Sequence, residues 1–306
     1  MNQQERSGEA GKWSFNTLTT PDSVRLRYGI YTEGPKDGID RYIVFLNGHG
    51  EFIEKYEYLP KDLQVPKNVA FLTWDHRGQG ASEGDPRLHI DDYEILGKDA
   101  KFIVDTLVGK KPYSIVAHSM GGLIALYSTM KGFLKPDKLI LSAPLFGVQH
   151  FIPEAVGRGL ANFASRLGFG RMYFQKKLTK MKFENNIFTY SPERFAQRYK
   201  SPYQIEGITF GWIKSTFEAI DFVKSSKNVQ EFASPTKILY GDDERLVSVK
   251  AIKDWVSQTE RLGRTKICAK ELPHTRHEIF AEADEAYRRV LNLTREYLFG
   301  APIESK

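Results

Sequence analysis

The chain reads as an α/β protein: a mostly parallel eight-stranded sheet flanked by helices, with a helical cap inserted between two strands. Three observations predict this. Apolar, β-branched runs alternate with helical stretches along most of the 306 residues, the pattern of a parallel sheet wrapped by helices. Four short glycine-containing junctions, at 47–50, 75–80, 118–122 and 241–243, each follow a strand-like run. In open α/β sheets ligands bind beyond the carboxyl ends of strands, so these junctions are where chemistry belongs. Finally, the alternation stops between about 147 and 235, where the chain is rich in Phe, Tyr, Lys and Arg, and resumes at Thr236.

In chain order, strands are expected at 12–19, 24–31, 42–46, 70–74, 113–117, 138–141, 236–240 and 266–272. The runs YIVFL at 42–46 and LIL at 139–141 are continuously apolar and strand-sized, well short of the roughly 20 residues that span a bilayer. Helices are expected at 93–107, 120–130, 249–259 and 277–299. The segment 147–235 has helix-like periodicity and no convincing strand. Residues 1–146 and 236–306 therefore form the core domain, and 147–235 forms the cap.

Composition excludes several classes. At 41% hydrophobic and 27% charged, the chain is too apolar for disorder. Its first residues, MNQQERSGEAGKW, contain no apolar segment of the secretory type, so a cytoplasmic location is expected. One cysteine, Cys268, rules out an intrachain disulfide and suits a reducing compartment. Lying in KICAKEL, it reads as a buried structural thiol. The net charge of +6 is concentrated: residues 148–233 carry 13 Lys and Arg against 7 Asp and Glu. Such a patch concerns partners and not fold.

The chemistry begins at YSIVAHSMGGLIAL (113–126), where a strand runs into Ser119 and a helix follows. This is the strand–turn–helix context of a G-x-S-x-G nucleophile elbow, with Ala117 in place of the first glycine. A helix N-cap serine is the plain alternative. Elbows of this kind take their partners in the order Ser, acid, His. His274 and His277 alone among the histidines follow the 236–240 strand, and His277, closing the loop LPHTRHEIF, is the expected base. The acid comes from YGDDERLVS, with Asp242, Asp243 and Glu244 in a row. The usual spacing from Gly241 lands on Glu244, with Asp243 as fallback. Acyl transfer also needs two backbone N–H groups aimed at the oxyanion. One should come from Met120 and the other from the glycine-rich loop FLNGHGEF.

These segments together resemble the monoacylglycerol lipase and bacterial lysophospholipase branch of the α/β-hydrolases. The marks are NGHGEFIEKYEYL, DHRGQGASEG, AHSMGG, GDDERLV and HEIF, and the likeness runs from about Phe15 to Leu298. By resemblance, His49 supplies the second oxyanion N–H, Asn47 stands where His is usual, and DHRGQGAS is structural, which makes Asp75, His76 and Arg77 braces. The run Glu-Arg-Leu-Val at 244–247 and the cap segment 185–220 are most similar to bacterial lysophospholipases of the inner membrane. The resemblance implies hydrolysis of a lysophospholipid or other monoacyl lipid; monoacylglycerol or simple esters are the alternative substrates. A non-catalytic binder on the same fold would show a damaged triad.

Neither paired Cys/His metal spacing nor a phosphate-binding loop is visible, so no cofactor and no metal are expected. Nucleic acid is excluded as a partner because no nucleic-acid fold accompanies the basic patch. Thirteen aromatic residues between Phe151 and Trp212 should mostly form the cap core. Arg171, Lys176, Lys177, Lys180 and Lys182 interleave with Tyr173, Phe174 and Phe183, a face suited to peripheral contact with anionic membrane. The oligomeric state is not encoded in any feature of the sequence.

Overall fold

The computed structural model describes residues 11–149, 154–175, 181–199, 201–203, 207–262 and 265–300. Its main sheet contains β1 (Lys12–Thr19), β2 (Arg25–Thr32), β3 (Arg41–Leu46), β4 (Val69–Trp74), β5 (Tyr113–His118) and β6 (Leu139–Ser142). After a separate short pair, β7 (Tyr173–Gln175) and β8 (Ile208–Thr209), come β9 (Thr236–Gly241) and β10 (Ile267–Leu272). The order across the sheet is β1-β2-β4-β3-β5-β6-β9-β10. The β1–β2 and β2–β4 pairings are antiparallel, and all others are parallel. All eight expected strands are present, with ends displaced by no more than one residue.

Described helices are α1 (Leu59–Asp62), α2 (Tyr93–Leu107), α3 (Met120–Met130), α4 (Glu154–Arg166), α5 (Pro192–Arg198), α6 (Phe210–Lys224), α7 (Ser226–Glu231), α8 (Val249–Leu262) and α9 (Asp284–Phe299). Strand side chains alternate between two layers, as the pleat requires. Val44, Leu46, Leu72, Ile115, Leu141 and Ile238 pack with α2, α3, α6 and α8. Ile43, Phe45, Phe71, Val116, Ile140 and Leu239 pack with Phe280 and α9 on the other face. Phe217, Ile220 and Val223 of α6 belong to the first of these layers, so the later part of 147–235 packs directly onto the core helices.

The structure differs from expectation at four places. The helix expected at 277–299 begins only at Asp284, after a single 3₁₀ turn at Ile279–Ala281. There the Glu282 carboxylate accepts N–H groups of Tyr190 (2.8 Å), Arg276 (2.6 Å) and Ala283 (3.2 Å), which pins an irregular loop. The segment expected to lack strands contains β7 and β8, too short to leave an alternating pattern. Cys268 is exposed: β10 is an edge strand, with Ile267 and Ala269 packed on the core and Cys268 on the other face. Among the described cap aromatics of the expected core, only Phe195 is buried, whereas Phe163, Phe169, Phe174 and Tyr190 are exposed. The side chains of Phe151, Lys176, Lys177 and Lys180 lie outside the described residues.

Candidate active site

Ser119 joins β5 to α3 with φ 53° and ψ −115°, a conformation that a residue with a Cβ adopts only when its surroundings enforce it. Four hydrogen bonds do so. Its N–H donates to Ser142 O (2.9 Å), and its carbonyl accepts from Gly122 (3.0 Å), Leu123 (3.3 Å) and Leu145 (3.1 Å). Gly121 lets the elbow sit against the end of β3, because a Cβ there would lie 2.2 Å from Leu46 O and 2.6 Å from Asn47 O. Ala117, in place of the usual glycine, is fully buried within β5.

The loops after β9 and β10 bring the other two groups to this turn. The Ser119 hydroxyl lies 3.0 Å from His277 Nε2, and His277 Nδ1 lies 2.8 Å from Glu244 Oε2. With Nδ1–H donating to the carboxylate, Nε2 is left to accept the serine proton. All three side chains are buried: the residues are 7%, 5% and 3% exposed for Ser119, Glu244 and His277. The other Glu244 oxygen accepts N–H groups of Leu246 (2.7 Å) and Val247 (3.0 Å). Burial by itself would raise the Glu244 pKa, but the charge and hydrogen bond of His277 and those two amides hold it below the usual carboxylate value.

Asp243 points elsewhere. It pairs with Arg245 (2.7 Å) and Arg276 (3.1 Å) and accepts from Tyr190 OH (2.7 Å). Asp242 accepts the Thr275 N–H at 3.2 Å, and His274 sits exposed on the loop with φ 51°. Of the neighbouring residues considered from sequence, only Glu244 meets His277.

The loop after β3 is braced against the elbow. The Gly48 N–H donates to Glu51 Oε2 (2.5 Å) and the Gly50 N–H to Gln79 Oε1 (2.7 Å). The intervening His49 N–H has no acceptor among the described residues. Met120 opens α3, so its N–H is one of the first-turn donors that a helix leaves without an internal partner. Asn47 donates from Nδ2 to Trp74 O (2.9 Å), and its own carbonyl faces His76 Nε2 (3.2 Å). Side-chain support from the position usually held by His thus runs to β4. The His49 ring faces the segment between β6 and β9: Nε2 meets Gly207 O at 2.8 Å and the ring lies 4.3 Å from that of Trp212. Enclosure of the ring pushes its pKa down to about 4.

Asp75 accepts N–H groups of Ile53 (2.9 Å) and Ala81 (2.8 Å), and Arg77 bridges Asp22 and Asp99. Sequence reasoning passed over Glu51, Lys55, Arg198 and Glu278, which surround the site as buried charges. The available signal was the acid that closes each of two histidine-bearing motifs, NGHGE and HE.

Residues 38–284 match the Hydrolase_4 family, described as serine aminopeptidase, S33. A probable lysophospholipase L2 of Haemophilus influenzae is 26% identical over 301 residues, covering 92% of this chain and 90% of its own. Lysophospholipase L2 of Escherichia coli K12 is 28% identical over 223 residues, covering 68% of this chain and 65% of its own. The crystal structure of a soluble variant of monoglyceride lipase from Saccharomyces cerevisiae, with a substrate analog, superposes with TM-score 0.78. It covers 99% of both chains at 17% identity, a likeness of fold.

Proposed function

The chain belongs to the Hydrolase_4 (serine aminopeptidase, S33) family, and from that premise we propose that it is a lysophospholipase acting through an acyl-enzyme. The observation that carries the chemistry is the hydrogen-bonded relay from Glu244 through His277 to Ser119. The names of the two bacterial relatives support the substrate class.

In this mechanism Ser119 Oγ attacks the ester carbonyl while His277 Nε2 takes its proton. The tetrahedral oxyanion is received by the backbone N–H groups of His49 and Met120. Collapse releases the glycerophosphoryl alcohol, which takes the proton back from His277. Water, deprotonated by the same nitrogen, then frees the fatty acid and restores the serine. Glu244 keeps the imidazole in the required tautomer and stabilises its charged form. Neither metal nor cofactor enters these steps.

The family description also names an aminopeptidase, which would need an acid to hold a free α-amine. Two buried carboxylates near the relay, Glu51 and Glu278, already face Lys55 and Arg198, which favours an ester. Monoacylglycerol remains the rival substrate. Fatty acid release from lysophosphatidylethanolamine and from monoacylglycerol, by wild type and Ser119→Ala, tests the reading. Release from the lysophospholipid that vanishes in the variant supports it. Turnover of monoacylglycerol alone discards the substrate, and equal rates in both proteins discard the nucleophile.

Among the described residues no helix is long and apolar enough to cross a membrane. We read the protein as cytoplasmic and peripheral to the inner face of the membrane. Val156, Leu160 and Phe163 are exposed at helical spacing on α4, and exposed Leu167, Phe169, Met172 and Phe174 continue the surface. Exposed Arg166, Arg171 and Lys182 lie in the same segment. Apolar insertion with basic residues nearby suits an anionic lipid surface.

A further inference from the structure

Four buried charges link three parts of the molecule that the relay needs in register. Lys55, in the turn that follows the oxyanion loop, places Nζ 2.5 Å from Glu51 Oε1 and 2.6 Å from Glu278 Oε1. The same Glu278 oxygen lies 2.5 Å from Arg198 Nη1 of α5. Each of the four side chains is at least nine-tenths buried. Two carboxylates face two cations, so the group is neutral as a whole.

Both acidic residues are also tied to the catalytic end. Glu51 accepts the Gly48 N–H, next to the His49 amide, and Tyr56 OH at 3.0 Å. Glu278 directly follows His277, and its N–H donates to Phe188 O (2.8 Å) in the segment between β6 and β9. Arg198 closes that contact from above, its guanidinium carbon 4.0 Å from the centre of the Phe188 ring. His118 lies in the angle of the group, 3.8 Å from Glu51 and with its ring 4.8 Å from that of His277.

Buried ion pairs are poor sources of net stability, since desolvation offsets their attraction, and their best-attested use is to fix register. Loss of one member leaves an uncompensated charge, so the group favours one arrangement of its three attachments over nearby ones. We propose that Lys55 is a positioning residue that sets the oxyanion loop against the His277 loop, and that Arg198 makes seating of α5 part of the same lock. Cap seating and assembly of the reacting groups are then one event. Lys55 acts on the reacting groups through Gly48, His49 and His277. The inference rests on the reading of Ser119 as a nucleophile.

The test uses a short-chain p-nitrophenyl ester and a fluorophosphonate, which report Ser119 reactivity whatever the lipid substrate. Lys55→Met strands Glu51, leaves Glu278 with Arg198 alone and risks misfolding, so the charge-balanced pair Glu51→Gln with Lys55→Met is measured beside it. With melting and near-UV circular dichroism like wild type, the pair should lose up to about 100-fold in kcat. KM should stay within about two-fold, and the labelling rate should fall in step with kcat. Arg198→Met should lose kcat in the same sense, and Arg198→Lys should recover it. A folded pair with wild-type kcat, or a loss confined to KM, overturns the proposal. Absence of Ser119 labelling in wild type instead overturns the catalytic reading, and the lock falls with it.

Discussion

The roles proposed for Ser119, Glu244 and His277 each rest on a different local device. The serine is held at φ 53° by four backbone hydrogen bonds, so its hydroxyl stands clear at the end of β5. The glutamate is fixed by the Leu246 and Val247 amides, which leaves its second oxygen for the imidazole. Glu244→Gln should therefore lower kcat by on the order of 10³-fold, because an amide can present its N–H and favour the wrong tautomer. KM should change little. Asp243→Asn should leave kcat within about two-fold, because that side chain belongs to an ion-pair cluster with Arg245 and Arg276. Steady-state kinetics on a soluble ester separates the two. Equal losses would make both acids part of the relay.

Elements are joined where backbone meets backbone. At Gly121 a methyl group would collide with two carbonyl oxygens at the end of β3, neither of which can rotate away as a side chain could. Gly121→Ala should separate the elbow from the oxyanion loop, destabilise by at least about 1–3 kcal/mol, and abolish fluorophosphonate labelling. Urea denaturation reads the first effect. The exposed face of α4 makes the opposite kind of prediction. Leu160→Asp together with Phe163→Asp should leave melting unchanged, since both side chains are exposed. Sedimentation with anionic liposomes should fall sharply, and turnover of a soluble short-chain ester should stay the same. Undiminished sedimentation would show that α4 does not meet the lipid.

Across the whole molecule, buried titratable groups make stability depend on pH. Burial lowers the pKa of His76 and His118 to about 4, against about 6.5 in an unfolded chain. Between those values the unfolded state binds protons that the folded state refuses, so stability falls as pH drops from about 6.5 to 4. The slope is at most about 1.4 kcal/mol per pH unit for each histidine. Below that window the carboxylates take over. Burial would raise Glu51 and Glu278, but the Lys55 charge and hydrogen bonds at Glu51, and the Lys55 and Arg198 charges at Glu278, together outweigh it and hold both below the ordinary range, as His277 and two backbone amides do for Glu244. Their contribution is full above the unfolded carboxylate pKa and disappears as pH falls through the folded values. Melting temperature should decline steadily from pH 7 to 4, and His118→Asn should flatten that decline. A decline as steep in His118→Asn as in wild type would contradict the burial of that ring.

The amino-acid sequence by itself determined the strands, because alternation and short glycine junctions are local properties that each segment carries alone. It also put forward Ser119 and His277 as candidates, through motifs contiguous with the strands that deliver them. Choosing Glu244 over Asp243 needed only spacing from Gly241, although the reason for the choice, two amides on one oxygen and an imidazole on the other, is tertiary. What only the tertiary structure decided depends on contacts between distant segments. Lys55 meets Glu278 across 223 positions of chain, and Glu278 meets Arg198 across 80, and no periodicity announces such a meeting. The exposure of Cys268 and of the α4 side chains was equally hidden. An apolar residue in a strand or helix records that a face exists, and only the fold decides whether anything covers it.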